Sequence, residues 1–151
     1  MPRPRMLLAV ILLAQFVIPL SISGTAVALP AIAGDLGSDP TPLQWVVNGF
    51  NVAFAVCTIV WGACSDRIGY TRSFRIGIAI AIAGGIVSMF APNIAVLDAG
   101  RIIAGIGSAA VLTSAAPILS HLFEGKARAQ AFALFGTING LGLAAGPALS
   151  G

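Results

Sequence analysis

Gly62-Ala63-Cys64-Ser65-Asp66-Arg67-Ile68-Gly69-Tyr70-Thr71-Arg72 places four charge-bearing or turn-forming residues between two long apolar runs. Upstream, Leu43 to Cys64 carries no charge, and downstream, Phe74 to Phe90 carries only Arg75. Each run is about as long as the 17–25 residues a helix needs to cross a bilayer. The charged stretch between them therefore reads as a joint held in water while its neighbours sit in lipid.

Three more apolar runs complete the chain: Leu7 to Ala33 with Pro19 and Pro30 inside it, Ile94 to Leu122 interrupted by Asp98 and Arg101, and Ala129 to Gly151. None alternates polar and apolar residues over the roughly ten positions of a membrane strand. Composition agrees. Charged residues are 9% of the 151, against about 25% in soluble domains, and mean hydropathy is +0.98. So much apolar surface has no place to hide in a water-soluble domain of this length. The expected fold is an all-α transmembrane bundle of five spans: 7–33, 43–64, 74–90, 94–122 and 129–151. The expected joints are 34–42, 65–73, 91–93 and 123–128. Short joints make sequential helices antiparallel neighbours.

Seven of the eight basic residues fall on one side of this arrangement: Arg3, Arg5, Arg67, Arg72, Arg75, Lys126 and Arg128. The opposite joints hold only Asp35 and Asp39. An excess of Lys and Arg marks cytoplasmic loops, which predicts a cytoplasmic N-terminus and Gly151 near the outer face. The first run, ending in Ala31-Ile32-Ala33, has the outline of a secretory leader, yet it far exceeds the 7–15 residues of a leader core.

Other chemistry finds little support. Cys57 and Cys64 are separated by roughly 10 Å of helical rise, too far for a disulfide whose Cα atoms lie within about 7 Å. His121 stands alone, without a metal-ligand spacing around it. No basic stripe interleaved with aromatics points to nucleic acid. Gly105-Ile106-Gly107-Ser108-Ala109-Ala110 has a loose dinucleotide spacing, but no strand precedes it. No nucleophile, base and oxyanion grouping suggests an enzyme, and neither a cofactor nor a metal is implied.

The joint from Gly62 to Arg72 resembles the signature of the major facilitator superfamily, G-x-L-a-D-R-x-G-R-R/K. Gly62, Asp66, Arg67 and Gly69 match at the family spacing; Cys64, Tyr70 and Thr71 depart, with basic charge moved to Arg72 and Arg75. In physical terms, a glycine at 62 admits a neighbouring helix and a glycine at 69 permits a turn with positive φ. The end of the first span, Ser21 to Pro30, resembles the D-x-T-x-x-N-x-A-L-P motif of the fourteen-helix drug:proton antiporter branch. Ala28-Leu29-Pro30 match, while Ser21, Ser23 and Ala26 replace Asp, Thr and Asn. Gln44-Trp45-Val46-Val47 is also similar to that branch.

Two further matches follow in family order. Arg101, Gly105 and Gly107 resemble the pattern R-x-x-q-G-x-g of span four, with Ala104 for Gln. A mid-helix Arg costs about 2.5–3.5 kcal/mol on insertion scales, and Asp98, three residues earlier on the same face, is a candidate partner. Gly142, Gly146, Pro147 and Gly151 resemble the G-x-x-x-G-P-x-x-G-G motif of the antiporters' fifth span, with Ser150 for one Gly. Gly136 and Gly140 extend its small face. Glycines four apart allow close helix approach, and Pro147 removes a hydrogen-bond donor.

The resemblance covers essentially the whole chain. It implies the first five helices of a twelve- or fourteen-helix carrier built from inverted three-helix repeats. It further implies a parent that exchanges small molecules or drugs for protons across a bacterial inner membrane. The joint at 62–72 would control conformation, Arg101 with Asp98 would serve proton or substrate coupling, and Gly142, Gly146, Pro147 and Gly151 would form a bent gate helix. The remaining helices and the lipid bilayer are the expected partners, and the 151 residues alone are expected not to transport. Gln15, Asn48, Asn51 and Asn139 are the intramembrane polar residues that would line a cavity or bond to neighbouring helices. The alternative is a small non-transporting membrane protein that packs against another.

Overall fold

A computed structural model describes residues 4–36 and 39–150. Five helices fill these segments: α1 (Pro4–Leu36), α2 (Pro40–Ile68), α3 (Tyr70–Met89), α4 (Ile94–Leu122) and α5 (Gly125–Ser150). All five are long and apolar enough to cross a membrane. Even the shortest, α3 with 20 residues, reaches about 30 Å, the thickness of the hydrocarbon layer.

The helices outrun the apolar windows. The expected nine-residue joint at 65–73 shrinks to Gly69 alone, and that at 123–128 to Phe123 and Glu124. The reason is that a helix ends where its backbone is broken, not where its side chains turn polar. Gly69 supplies the break at φ 91°, while its N–H still bonds to the carbonyl of Ser65 at 3.0 Å. Gly125, the first residue of α5, also holds a positive φ, 53°. Pro40 at the first position of α2 follows the usual preference for a residue without an N–H there. Asn93 caps α4 by accepting a bond from the N–H of Val96 at 3.0 Å. Pro19 and Pro30 lie inside α1 without interrupting it.

α4 is the axis of the bundle. It packs along α2 on one side and α3 on another, α1 packs mainly along α5, and narrower contacts join the two groups. Small residues set these distances. A Cβ on Gly77 of α3 would stand 2.7 Å from the Cβ of Ala110 and 2.8 Å from the carbonyl oxygen of Gly107 in α4. In lipid, where burial of apolar surface gives little driving force, such backbone-to-backbone contact is what holds helices together. A cluster of Ile11, Phe74, Val111, Ile118, Leu119 and Ala131 joins α1, α3, α4 and α5 near the basic end. The outer faces stay apolar: Ile59 is 80% and Met89 79% exposed. A soluble protein would aggregate through such faces, whereas a bilayer solvates them.

Candidate functional site

Arg101 lies eight residues into α4 from its cap, about 12 Å along the axis, and is 7% exposed. Its guanidinium spans three helices. Nε donates to the carbonyl of Val46 in α2 at 3.2 Å. Nη1 donates to the hydroxyl of Ser21 in α1 at 2.8 Å, and Nη2 to the Ser21 carbonyl at 3.4 Å. The ring of Phe50 in α2 lies 4.6 Å beneath it, a stacking that Arg favours when desolvated. Glycine makes the reach to α2 feasible. A Cβ on Gly105 would meet the Phe50 carbonyl oxygen at 2.6 Å, and one on Gly49 would meet Ile102 at 3.1 Å.

The Asp98–Arg101 pair expected from their spacing does not form. All three Arg101 bonds go to neutral oxygens, and Asp98 Oδ1 is buried without a partner. Sequence spacing put both on one helical face, but the side chain of Arg101 turns inward to α1 and α2. Those contacts link residues 55 and 80 positions apart, so no local pattern announced them. The Ser21 departure from the antiporter motif was the one available signal; Phe50 gave none.

Two cavities flank the guanidinium. One of about 510 Å³ is lined by Leu13, Val17, Phe50, Ile82 and Ser108 among others, and one of about 320 Å³ by Thr25, Ala28, Val46 and Leu97 among others. Arg101, Ser21 and Ser88 line both. Arg101 is the single charged residue in either lining.

At the other end, Asp66 accepts a 2.7 Å bond from the hydroxyl of Tyr70. Tyr70, a departure from the motif, is thus the partner that Asp66 has, and its ring also tilts against His121 at 6.1 Å. Ser65 and Ser114 exchange a buried hydroxyl contact of 3.3 Å that ties α2 to α4 beneath the joint. Arg67 and Arg72 are exposed, and Arg72 lines a third cavity, of about 420 Å³, with Gly69, Tyr70 and His121. Gly62 corrects expectation: a Cβ there would meet nothing within 4 Å, so no described helix approaches it. α2 meets α4 instead through Val46, Gly49, Phe50 and Ser65.

In α5, a Cβ on Gly142 would stand 2.5 Å from the Phe16 carbonyl oxygen, and one on Gly146 would stand 2.7 Å from the Gly24 nitrogen. At these two glycines the backbone of α5 comes against that of α1. Gly136 and Gly140 do not extend it, because a Cβ at either meets nothing within 4 Å. Pro147 sits within α5, and Gly151 lies outside the described residues, as does Arg3. The polar candidates scatter. Gln15 is fully buried with neither amide atom bonded. Asn48 and Asn51 are exposed on α2, and Asn139 donates to the Phe135 carbonyl in its own helix at 2.9 Å. None of the four lines the two cavities beside Arg101.

A bundle of spanning helices with a buried cation at its crossing defines a multi-pass membrane protein. Residues 11–151 match the model of the Major Facilitator Superfamily, and the chain belongs to that family. It is 32% identical over 140 residues to the puromycin resistance protein pur8 of Streptomyces alboniger, covering 92% of this chain and 28% of that protein. It is 34% identical over 139 residues to the cephamycin export protein CmcT of Amycolatopsis lactamdurans, covering 91% and 29%. It is 33% identical over 125 residues to a probable actinorhodin transporter of Streptomyces coelicolor, covering 83% and 22%. The chain thus spans less than a third of the length of these relatives.

Proposed function

We propose that these residues form part of a secondary carrier that exports small amphipathic compounds in exchange for protons. The carrier lies in a bacterial inner membrane with the N-terminus in the cytoplasm. One observation carries the reading: a buried cation at the crossing of three spanning helices, with cavities on both sides of it. Intramembrane charge is expensive and is retained where it handles ions or substrates. Family membership and the names of the relatives, among them a resistance protein and an export protein, support the direction and the cargo class.

Within that reading the residues divide their work. Arg101, with Asp98 nearby in α4, couples proton to substrate. Asp66, Arg67, Gly69 and Arg72, together with Gly62, govern how the basic end rearranges. Gly142, Gly146 and Pro147, with Gly151, make α5 a closely packed gate. Asn48 and Asn51, exposed on α2, line a water-filled path or bond to helices beyond these residues, because an unpaired amide in hydrocarbon is costly. The 151 residues alone do not alternate access, for which a second rigid unit is required.

The test is efflux from proteoliposomes. The gene product should expel a fluorescent amphipath when an inward proton gradient is imposed and stop when a protonophore collapses it. Flux that ignores the protonophore removes proton antiport. Coupled flux from residues 1–151 alone overturns their inactivity.

A further inference from the structure

We infer that the Arg101 cavities hold the anionic head group of an amphipathic ligand, with its apolar body against α1 and α3. The chain contains five carboxylates in all, Asp35, Asp39, Asp66, Asp98 and Glu124. None pairs with Arg101, whose three hydrogen bonds end on Ser21 and Val46 oxygens. A guanidinium carries five N–H donors, so two remain beyond those bonds. The Ser21 hydroxyl accepts from Nη1 and keeps its own hydrogen to donate to an incoming anion. Arg101 is 7% exposed, and a charge so placed is costly until a counter-charge reaches it. The low dielectric that makes it costly also strengthens its attraction for an anion.

The cavity walls describe the rest of the ligand. The larger space is bounded by Leu13, Val17, Phe50 and Ile82, and its polar groups are confined to Arg101 and the hydroxyls of Ser21, Ser88 and Ser108. Leu13, Val17 and Ile82 are 66%, 49% and 57% exposed while lining it, so among the described residues it opens between α1 and α3. A carboxylate or sulfonate meets the planar fork in two hydrogen bonds, which an alcohol or amine does not reproduce.

This assignment rests on the export reading for its cargo, but binding is measured without flux. The full gene product in lipid nanodiscs is titrated with three probes that share one body: pyrenebutyrate, pyrenebutanol and pyrenebutylamine. The butyrate should bind about tenfold tighter than the alcohol, the scale of one charge-assisted bond. Ser21→Asp sets a carboxylate beside Arg101 and should abolish that preference, leaving the amine the tightest of the three. Arg101→Met should lower butyrate affinity to that of the alcohol. Equal affinities in the unaltered protein, or a tenfold preference that survives Ser21→Asp, overturns the anion site. Preference without proton-driven flux supports the site and removes the export reading; flux without preference does the reverse.

Discussion

Nη1 of Arg101 in α4 donates to the hydroxyl of Ser21 in α1 across 2.8 Å, joining residues 80 positions apart. Together with the bond to the Val46 carbonyl, this contact fastens α1 and α2 to the central helix. Arg101→Lys keeps the charge but loses the planar fork, and Arg101→Met loses both. The lysine variant should lose roughly 1 kcal/mol of stability and the methionine variant roughly 1–3 kcal/mol, from the lost bonds that tie Ser21 of α1 and Val46 of α2 to α4. Thermal melting in detergent reads the order. Equal melting temperatures for all three proteins would show that the bonds hold nothing together.

The same substitution at two glycines of α5 should act in opposite directions. Gly142→Ala drives a methyl against the Phe16 carbonyl of α1, whereas Gly140→Ala meets nothing within 4 Å. The first should destabilise by about 1–3 kcal/mol through overpacking. The second should gain up to roughly 1 kcal/mol, since alanine is the better helix former. Parallel shifts in melting temperature would contradict the α1–α5 packing.

The two glycines of the joint should also separate. Gly69 holds φ 91°, a conformation that costs a side-chain-bearing residue roughly 1–3 kcal/mol. Gly69→Ala should therefore destabilise the end of α2 and slow transport. Gly62→Ala, in helix and in open space, should leave stability intact or slightly improved. A loss of transport in Gly62→Ala without loss of stability would place a partner against that face in the working protein.

Orientation has a direct readout. With Cys57 and Cys64, both free thiols, first replaced by alanine, single cysteines at Arg72 and Asp39 report opposite ends of α2 and its joint. A membrane-impermeant maleimide should label Asp39→Cys in intact cells and Arg72→Cys only in inverted vesicles. The reverse pattern would place the N-terminus outside.

Much of this protein was legible in order of residues alone. The number of spans, the all-α class, the basic end and the turn at Gly69 follow from the apolar lengths, from the clustering of Lys and Arg, and from the one residue type that tolerates positive φ. These are local properties, set by whether a stretch prefers lipid or water and by what its own backbone permits. The glycines at 142 and 146 also announced a close contact, though not with which helix.

Tertiary structure decided the rest. Spacing along α4 favoured Asp98 as the partner of Arg101, yet the guanidinium goes to Ser21 and Val46. Gly62, Gly136 and Gly140 carry the same small-residue signal as Gly77 and Gly142, yet only the latter two meet a neighbouring backbone. A helix presents candidates all round its circumference, and the sequence weighs them alike. Which of them meets oxygen, backbone or lipid depends on how neighbouring helices cross, and that is fixed by contacts between residues far apart in the chain.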